Sequence, residues 1–460
     1  MHLADRIGRS LFVALAVGLG WGIRGDFGHV VGAMFPGACL GLGLAYVSGQ
    51  RSLFLWMPII AALSALGIGL GGTMSYGILH GYAQSDTPIN YGYGFVTLFL
   101  QGSAWGTFGG ALIGLVLERK PMTTVEWLGW LGSIFMGGWL TAFLVIVVLD
   151  FDINPPRNNS SIAMMGAALA QILWLAASNK PSGLRGAVLG YVGFGLGMSV
   201  GRLLGNLANV LQAQFDFTIN HWNVMETSCG MIGGFIFTFG MVNRPYPEPP
   251  EKEGVRLASV FGMIYLLGLI PLWHRLGRIR TAEKLAEWTE RLKGYQYADP
   301  AAHAESTLWW IDAVCVLGFV GAALWIAIYF ARAQRLAAFP VVWLCGTMLL
   351  FQNLNALYFY YPRDPKLINM HNVFWMLFIP MVLYAVFVRL QPTTVPAPTE
   401  GAREPRFHWL GWLAGAAATV GLVIVLAGFI NNEQTMRSAN TRWPQWTWTE
   451  GPFPRDKVGP

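Results

Sequence analysis

Ionisable side chains are scarce in this chain, and the ones that could do chemistry gather beside glycine-rich apolar runs. Arg24, Asp26 and His29 interrupt the stretch Gly18–Gly43, between two segments that would otherwise seek hydrocarbon. Arg202 and Glu226 lie in a similar setting further along. An arginine holds an anionic group through paired N–H donors, and a histidine accepts a proton near neutrality. Arg24 and Arg202 are therefore read as holding an anion, with Asp26, His29 and Glu226 binding or relaying a proton. The connection around Arg24 is too short to leave the membrane boundary, and an ionisable residue at the centre of a membrane helix costs at least about 2.5–3.5 kcal/mol. Its charges must be satisfied within protein or a wet cavity. The plainer alternative is that Arg24 and Asp26 neutralise each other and bond the loose carbonyls of a helix break.

A second polar group, at 351–372, combines Gln352, Asn353, Asn355, three tyrosines, Arg363, Asp364 and His371. Amides on an apolar helix must meet protein or water, and amides, aromatic rings and an Arg/Asp pair commonly hold polar ligands. Asn353, Asn355 and Arg363 therefore join the substrate-binding set. Asp150 and Asp152 end an apolar run just before Pro155 and Pro156. Two such acids can divide acid and base roles, though a solvated helix stop explains them as well. His80 closes a third run, and Asp216 and His221 lie in the loop before Glu226.

Metal and cofactor chemistry find no pattern here. Cys39, Cys229, Cys315 and Cys345 all sit inside apolar runs without ligand spacing, and no phosphate-binding glycine loop follows a strand. Neither a metal nor a cofactor is expected.

The elements that must position these residues are membrane helices. Of 460 residues, 54% are hydrophobic and 12% charged, against about 25% charged in soluble proteins. Mean hydropathy is +0.46. The chain is read as all-α, a polytopic transmembrane helical bundle with the lipid bilayer as its surroundings. The net charge of +6 resides in short loops, with no basic stripe interleaved with aromatics, so nucleic acid is excluded as a partner. Runs of about 17–25 apolar residues divide the chain into about 12–13 spans, near 8–23, 29–48, 53–79, 93–117, 124–149, 160–178, 184–207, 223–242, 255–273, 308–331, 336–358, 370–390 and 407–430. The first is short and reads as a retained helix, not a cleaved signal.

With the N-terminus cytoplasmic, Arg6, Arg9, Arg51, Arg119, Lys120, Lys180, Arg185, Arg244 and Arg256 fall inside. The C-terminus is then extracytoplasmic, and the candidate site lies near the outer face. One outer loop, 274–307, breaks the rule with several basic residues; within it 281–294 reads as a surface helix with Leu285, Trp288 and Leu292 on one face. If one span is miscounted, that loop moves inside and the tail flips.

Three regions emerge: an eight-helix block at 1–243, a five-helix block at 255–430, and a Trp-rich polar tail at 431–460. GLGWGI, GIGLGG and GFGLGM, each partnered by FPGA, FGGA or IGGF, suggest parallel repeated glycine-rich hairpins in the first block; shared composition alone is the competing explanation.

Short, glycine-interrupted helices with charges at membrane depth point to a carrier site. The expected function is a multi-pass transporter, secondary or channel-like, for a small polar or anionic solute, proton-coupled, in a bacterial inner membrane. One alternative is a membrane-embedded glycosyl- or acyltransferase acting on a lipid-linked substrate, motivated by Asp26, His29, Asp150, Asp152, Asp216 and His371 on one face, so that catalysis stays open. Another is a scaffold subunit of a membrane complex. A second copy of the chain or a membrane-complex subunit is the further partner considered.

Overall fold

Glycine sets how closely the helices of this protein approach one another. In the computed structural model, which describes residues 2–74, 76–151, 153, 160–215, 218–249, 253–265, 282–293, 297–332, 338–359, 367–368, 370–388, 390 and 407–431, the two most intimate neighbours are α5 (Pro88–Val116) and α8 (Pro181–Gln214). A Cβ at Gly106 would collide with the Gly190 carbonyl, and one at Gly110 with the Gly186 carbonyl; the reverse additions collide likewise. Backbone therefore lies on backbone, the arrangement that small residues permit between membrane helices. Both helices begin with proline in the first turn, where a missing N–H costs nothing.

Around this pair stand α1 (Leu3–Ile23), α2 (His29–Ser48), α3 (Arg51–Gly71), the short α4 (Gly77–Ala83) and α9 (His221–Met241). The side chain of Asn220 caps α9 by accepting from the Trp222 and Asn223 N–H groups. More peripheral are α6 (Thr124–Ala142), which runs on as a π-helical turn through Phe143–Val148, and α7 (Ser160–Ala177). Thr123 and Glu126 form a reciprocal capping box at the start of α6. The second half of the chain supplies α10 (Glu253–Ile264), α11 (Ala282–Lys293), α12 (Pro300–Arg332), α13 (Phe339–Phe359), α14 (Met370–Phe387) and α15 (Trp409–Ile430). One two-residue pairing, β1 (Thr218–Ile219) with β2 (Leu367–Ile368), joins the loop before α9 to the loop before α14 in parallel.

Among the described residues, eight helices are long and apolar enough to cross a membrane: α1, α2, α3, α6 with its π turn, α7, α8, α9 and α15. α6 makes the point most directly. It leaves Leu128, Phe135, Met136, Trp139, Val147 and Val148 exposed, a surface that water would not tolerate and lipid would. This is an integral membrane protein built as an all-helical bundle. Of the other expected spans, α5 is long but carries Asn90, Gln101, Ser103 and many glycines, while α13 and α14 contribute the shorter apolar stretches Phe339–Asn353 and Val373–Phe387.

Two expected boundaries are corrected. The run at 53–79 is not one helix: α3 stops at Gly71, and α4 starts separately at Gly77. A Cβ on Gly72 would run into the His29 carbonyl, so the chain turns there against the start of α2. The first span is not short either. α1 has 21 residues, because Arg9 pairs with Asp5 at 3.0 Å and donates to the Val47 carbonyl, while Arg6 donates to the Phe239 carbonyl. With those polar groups satisfied, the helix continues past them. The segment read as a surface helix, 281–294, contains α11, whose Trp288 and Leu292 are buried and Leu285 partly so.

Helix ends sort onto two faces. On one, Gln50 donates to the Arg244 carbonyl, Trp56 to the Pro247 carbonyl, Glu118 accepts from the Gly183 N–H, and Lys180 pairs with Glu126. On the other, Asn431, at the end of α15, donates to the Ala83 and Ser85 carbonyls and accepts from Asn206.

Candidate functional site

The second face holds a buried cluster of cations and aromatic rings. Its first part forms where α1 gives way to a single 3-10 turn, Arg24–Phe27, and the chain re-enters the bundle through Gly28 at φ 81°. Only glycine adopts that conformation without strain. Gly22 and Gly230 let α1 and α9 touch: a Cβ on Gly22 would sit 2.5 Å from Thr227 Oγ1, and one on Gly230 2.5 Å from the Val17 carbonyl. That contact places Glu226 beside Arg24. Arg24 Nη2 donates to Glu226 Oε1 at 2.8 Å, and the Tyr76 hydroxyl donates to the same oxygen at 2.8 Å.

Three rings surround the Arg24 guanidinium. Its carbon lies 4.8 Å from the Trp105 centroid, 5.0 Å from Tyr76 and 5.3 Å from Trp21. Ring faces carry partial negative charge and stabilise a desolvated cation. Arg24 is 1% exposed, and its Nε has no hydrogen-bond partner.

The second part is built on α8 and α4. Arg202, fully buried, spends Nε on Asn206 Oδ1 at 2.7 Å, one helical turn away. Asn206 is in turn fixed by donating to the Ala83 carbonyl and to Asn431 Oδ1. Both terminal nitrogens of Arg202 are without an acceptor. His80, also fully buried, has neither ring nitrogen hydrogen-bonded; its ring meets Tyr76 edge-on at 5.2 Å and Trp222 at 5.0 Å. His80 belongs to α4, a connecting helix outside the spanning segments. Burial, then the charges of Arg202 and Arg24, hold its imidazole well below the ordinary histidine range, hence neutral.

The charge balance follows. Among the described residues, the Glu226 carboxylate pairs with Arg24, Arg202 has no carboxylate against it, and the nearby histidine is neutral. A buried cation without a counter-charge is costly, so the cluster favours a small anion that can accept from Arg202.

The structure brings Arg24, Arg202 and Glu226 into this one region. His29 stands at its margin, exposed, with its ring 5.5 Å from Tyr76. Asn353 is employed elsewhere: it donates to the Leu349 carbonyl and accepts from Trp375 Nε1 at 3.2 Å, linking α13 to α14. The side chains of Asp26, Asn355 and His371, and residues Asp152, Asp216 and Arg363, lie outside the described residues. Asp150 is exposed, with φ 48°. Among the described residues no group of His, Cys, Asp and Glu side chains could hold a metal ion.

Sequence reasoning missed Trp21, Tyr76 and Trp105, and it gave His80 no role. Helical spacing was the available signal: Trp21 stands one turn before Arg24, and Tyr76 one turn before His80. No protein family, curated protein or solved structure matches the chain. The class of protein is thus set by its own fold: a multi-pass helical membrane protein with a buried cationic and aromatic cluster near one face.

Proposed function

We propose that this protein is a secondary carrier for a small anionic solute, which binds between Arg202 and Arg24 beneath the α4 connection. The observation that carries the reading is Arg202: a fully buried guanidinium with two unpartnered terminal nitrogens and, among the described residues, no carboxylate of its own. In a membrane such a group marks a solute path by default, and a helix broken at Arg24 is the usual setting for a carrier site. Glu226 keeps Arg24 neutralised until solute arrives.

The face bearing Arg6, Arg9, Arg51, Lys180 and Arg244 is cytoplasmic by the positive-inside rule, so the site opens to the outer side of a bacterial plasma membrane. Proteoliposomes holding the purified protein are expected to accumulate one of a panel of labelled anions: phosphate, sulfate, lactate and succinate. Arg202→Gln abolishes that uptake with the fold retained. Wild-type uptake no different from protein-free liposomes for the whole panel, with no anion raising the melting temperature, overturns the proposal.

A further inference from the structure

His80 is a buried titratable group of the cluster whose ring nitrogens make neither an ion pair nor a hydrogen bond. Four elements face it. From α8 comes Arg202, from the turn after α1 comes Arg24, and from α9 come His221 and the ring of Trp222. From the segment leading into α4 comes Tyr76, whose hydroxyl is committed to Glu226. His29 stands behind Tyr76. Thus, among the described residues, the charged groups around the imidazole are cations, and the Glu226 carboxylate is engaged by Arg24 and Tyr76.

We propose that His80 is the proton site of the anion pocket: when a multi-oxygen anion docks on the free nitrogens of Arg202, the imidazole takes up one proton, so that solute and proton bind together. This rests on the anion reading above and assigns the coupling to His80, a residue that reading does not use. The solute class follows from the donors. Arg202 Nη1 and Nη2 and Arg24 Nε all seek acceptors, which a carboxylate or inorganic oxyacid supplies and a halide or neutral amide does not.

The physical argument is one of sign. Without solute, two guanidinium charges and full burial disfavour the imidazolium. A bound anion reverses the local potential and accepts a hydrogen bond from the second ring N–H, which only the protonated form has. The proton affinity of His80 is then low in the free protein and raised in the complex. Affinity for the anion consequently grows as pH falls through the raised value, and levels off below the low one.

The test is calorimetric titration of the full-length protein with sulfate and with succinate, both fully ionised at pH 7, in buffers of differing ionisation enthalpy. Wild type is expected to take up close to one proton per anion bound. His80→Gln, which keeps a hydrogen-bonding amide, binds the same anion with uptake near zero and with a flat pH profile between 6 and 8; His80→Asn serves if that variant does not fold. Anion binding by wild type without uptake, or uptake unchanged in the His80 variants, overturns the assignment while leaving the anion site standing. Absence of binding by either anion, and by phosphate and lactate in the same titration, removes the anion site and this assignment with it.

Discussion

Arg24 and Arg202 are buried in two different ways, and the difference has consequences for stability. Arg24 has a carboxylate at 2.8 Å and three aromatic rings; Arg202 has one amide contact at Nε. Removing one partner of a buried pair leaves the other charge unpaired, at a cost of about 3–5 kcal/mol. Glu226→Gln is therefore expected to lower stability by about 3 kcal/mol, read as a loss of melting temperature in detergent. Tyr76→Phe deletes a single hydrogen bond to that carboxylate and should cost about 1 kcal/mol by the same measurement. A melt of Glu226→Gln equal to wild type would show that Arg24 is satisfied without its partner. Arg24, Arg202 and Glu226 were legible in the sequence as charges that apolar helices do not carry idly. The pairing of Arg24 with Glu226 was not, because 202 residues separate them and Asp26 offered a nearer candidate.

At the scale of elements, the close contact of α5 with α8 governs the rest. Gly106, Gly110 and Gly114 recur every fourth residue on α5 and meet Gly190, Gly186 and Ser182 on α8, whose backbone carbonyls occupy the space that side chains would need. Gly106→Leu or Gly190→Leu cannot be accommodated by a rotamer change, since the obstacle is backbone, not a flexible side chain. Either variant is expected to lose its monodisperse peak in size-exclusion chromatography, whereas Gly132→Leu on α6, where a Cβ meets nothing within 4 Å, should elute as wild type. Glycine-rich helices were visible in the sequence, yet their partners were not. The hairpin reading paired neighbours in the chain, and the tightest seam joins α5 to α8 across the inserted α6 and α7. Periodicity reports which face of a helix is small and says nothing about which helix it meets.

For the whole molecule, the two faces give a direct test of topology. Lys120 and Thr87 are exposed and flank opposite ends of α5. With the native cysteines replaced by alanine, Thr87→Cys should react with a membrane-impermeant maleimide from outside intact cells, and Lys120→Cys only in inverted vesicles. Labelling of both from the same side would refute the transmembrane passage of α5. Reversed labelling would keep the passage but turn the candidate site to the cytoplasm.

The sequence by itself determined the class of protein. A composition so poor in charge and runs of this length leave helices as the only structure that satisfies its own backbone in lipid, and the scarcity of charge made Arg24, Arg202 and Glu226 stand out. Tertiary structure alone decided which of those residues meet. It ended α3 at the double glycine, set Tyr76 and His80 over the broken helix, closed three rings on Arg24, and drew Asn353 away into the contact between α13 and α14. The reason is that hydropathy is a property of each segment, whereas a buried charge is satisfied by whichever group the packing of other segments delivers to it.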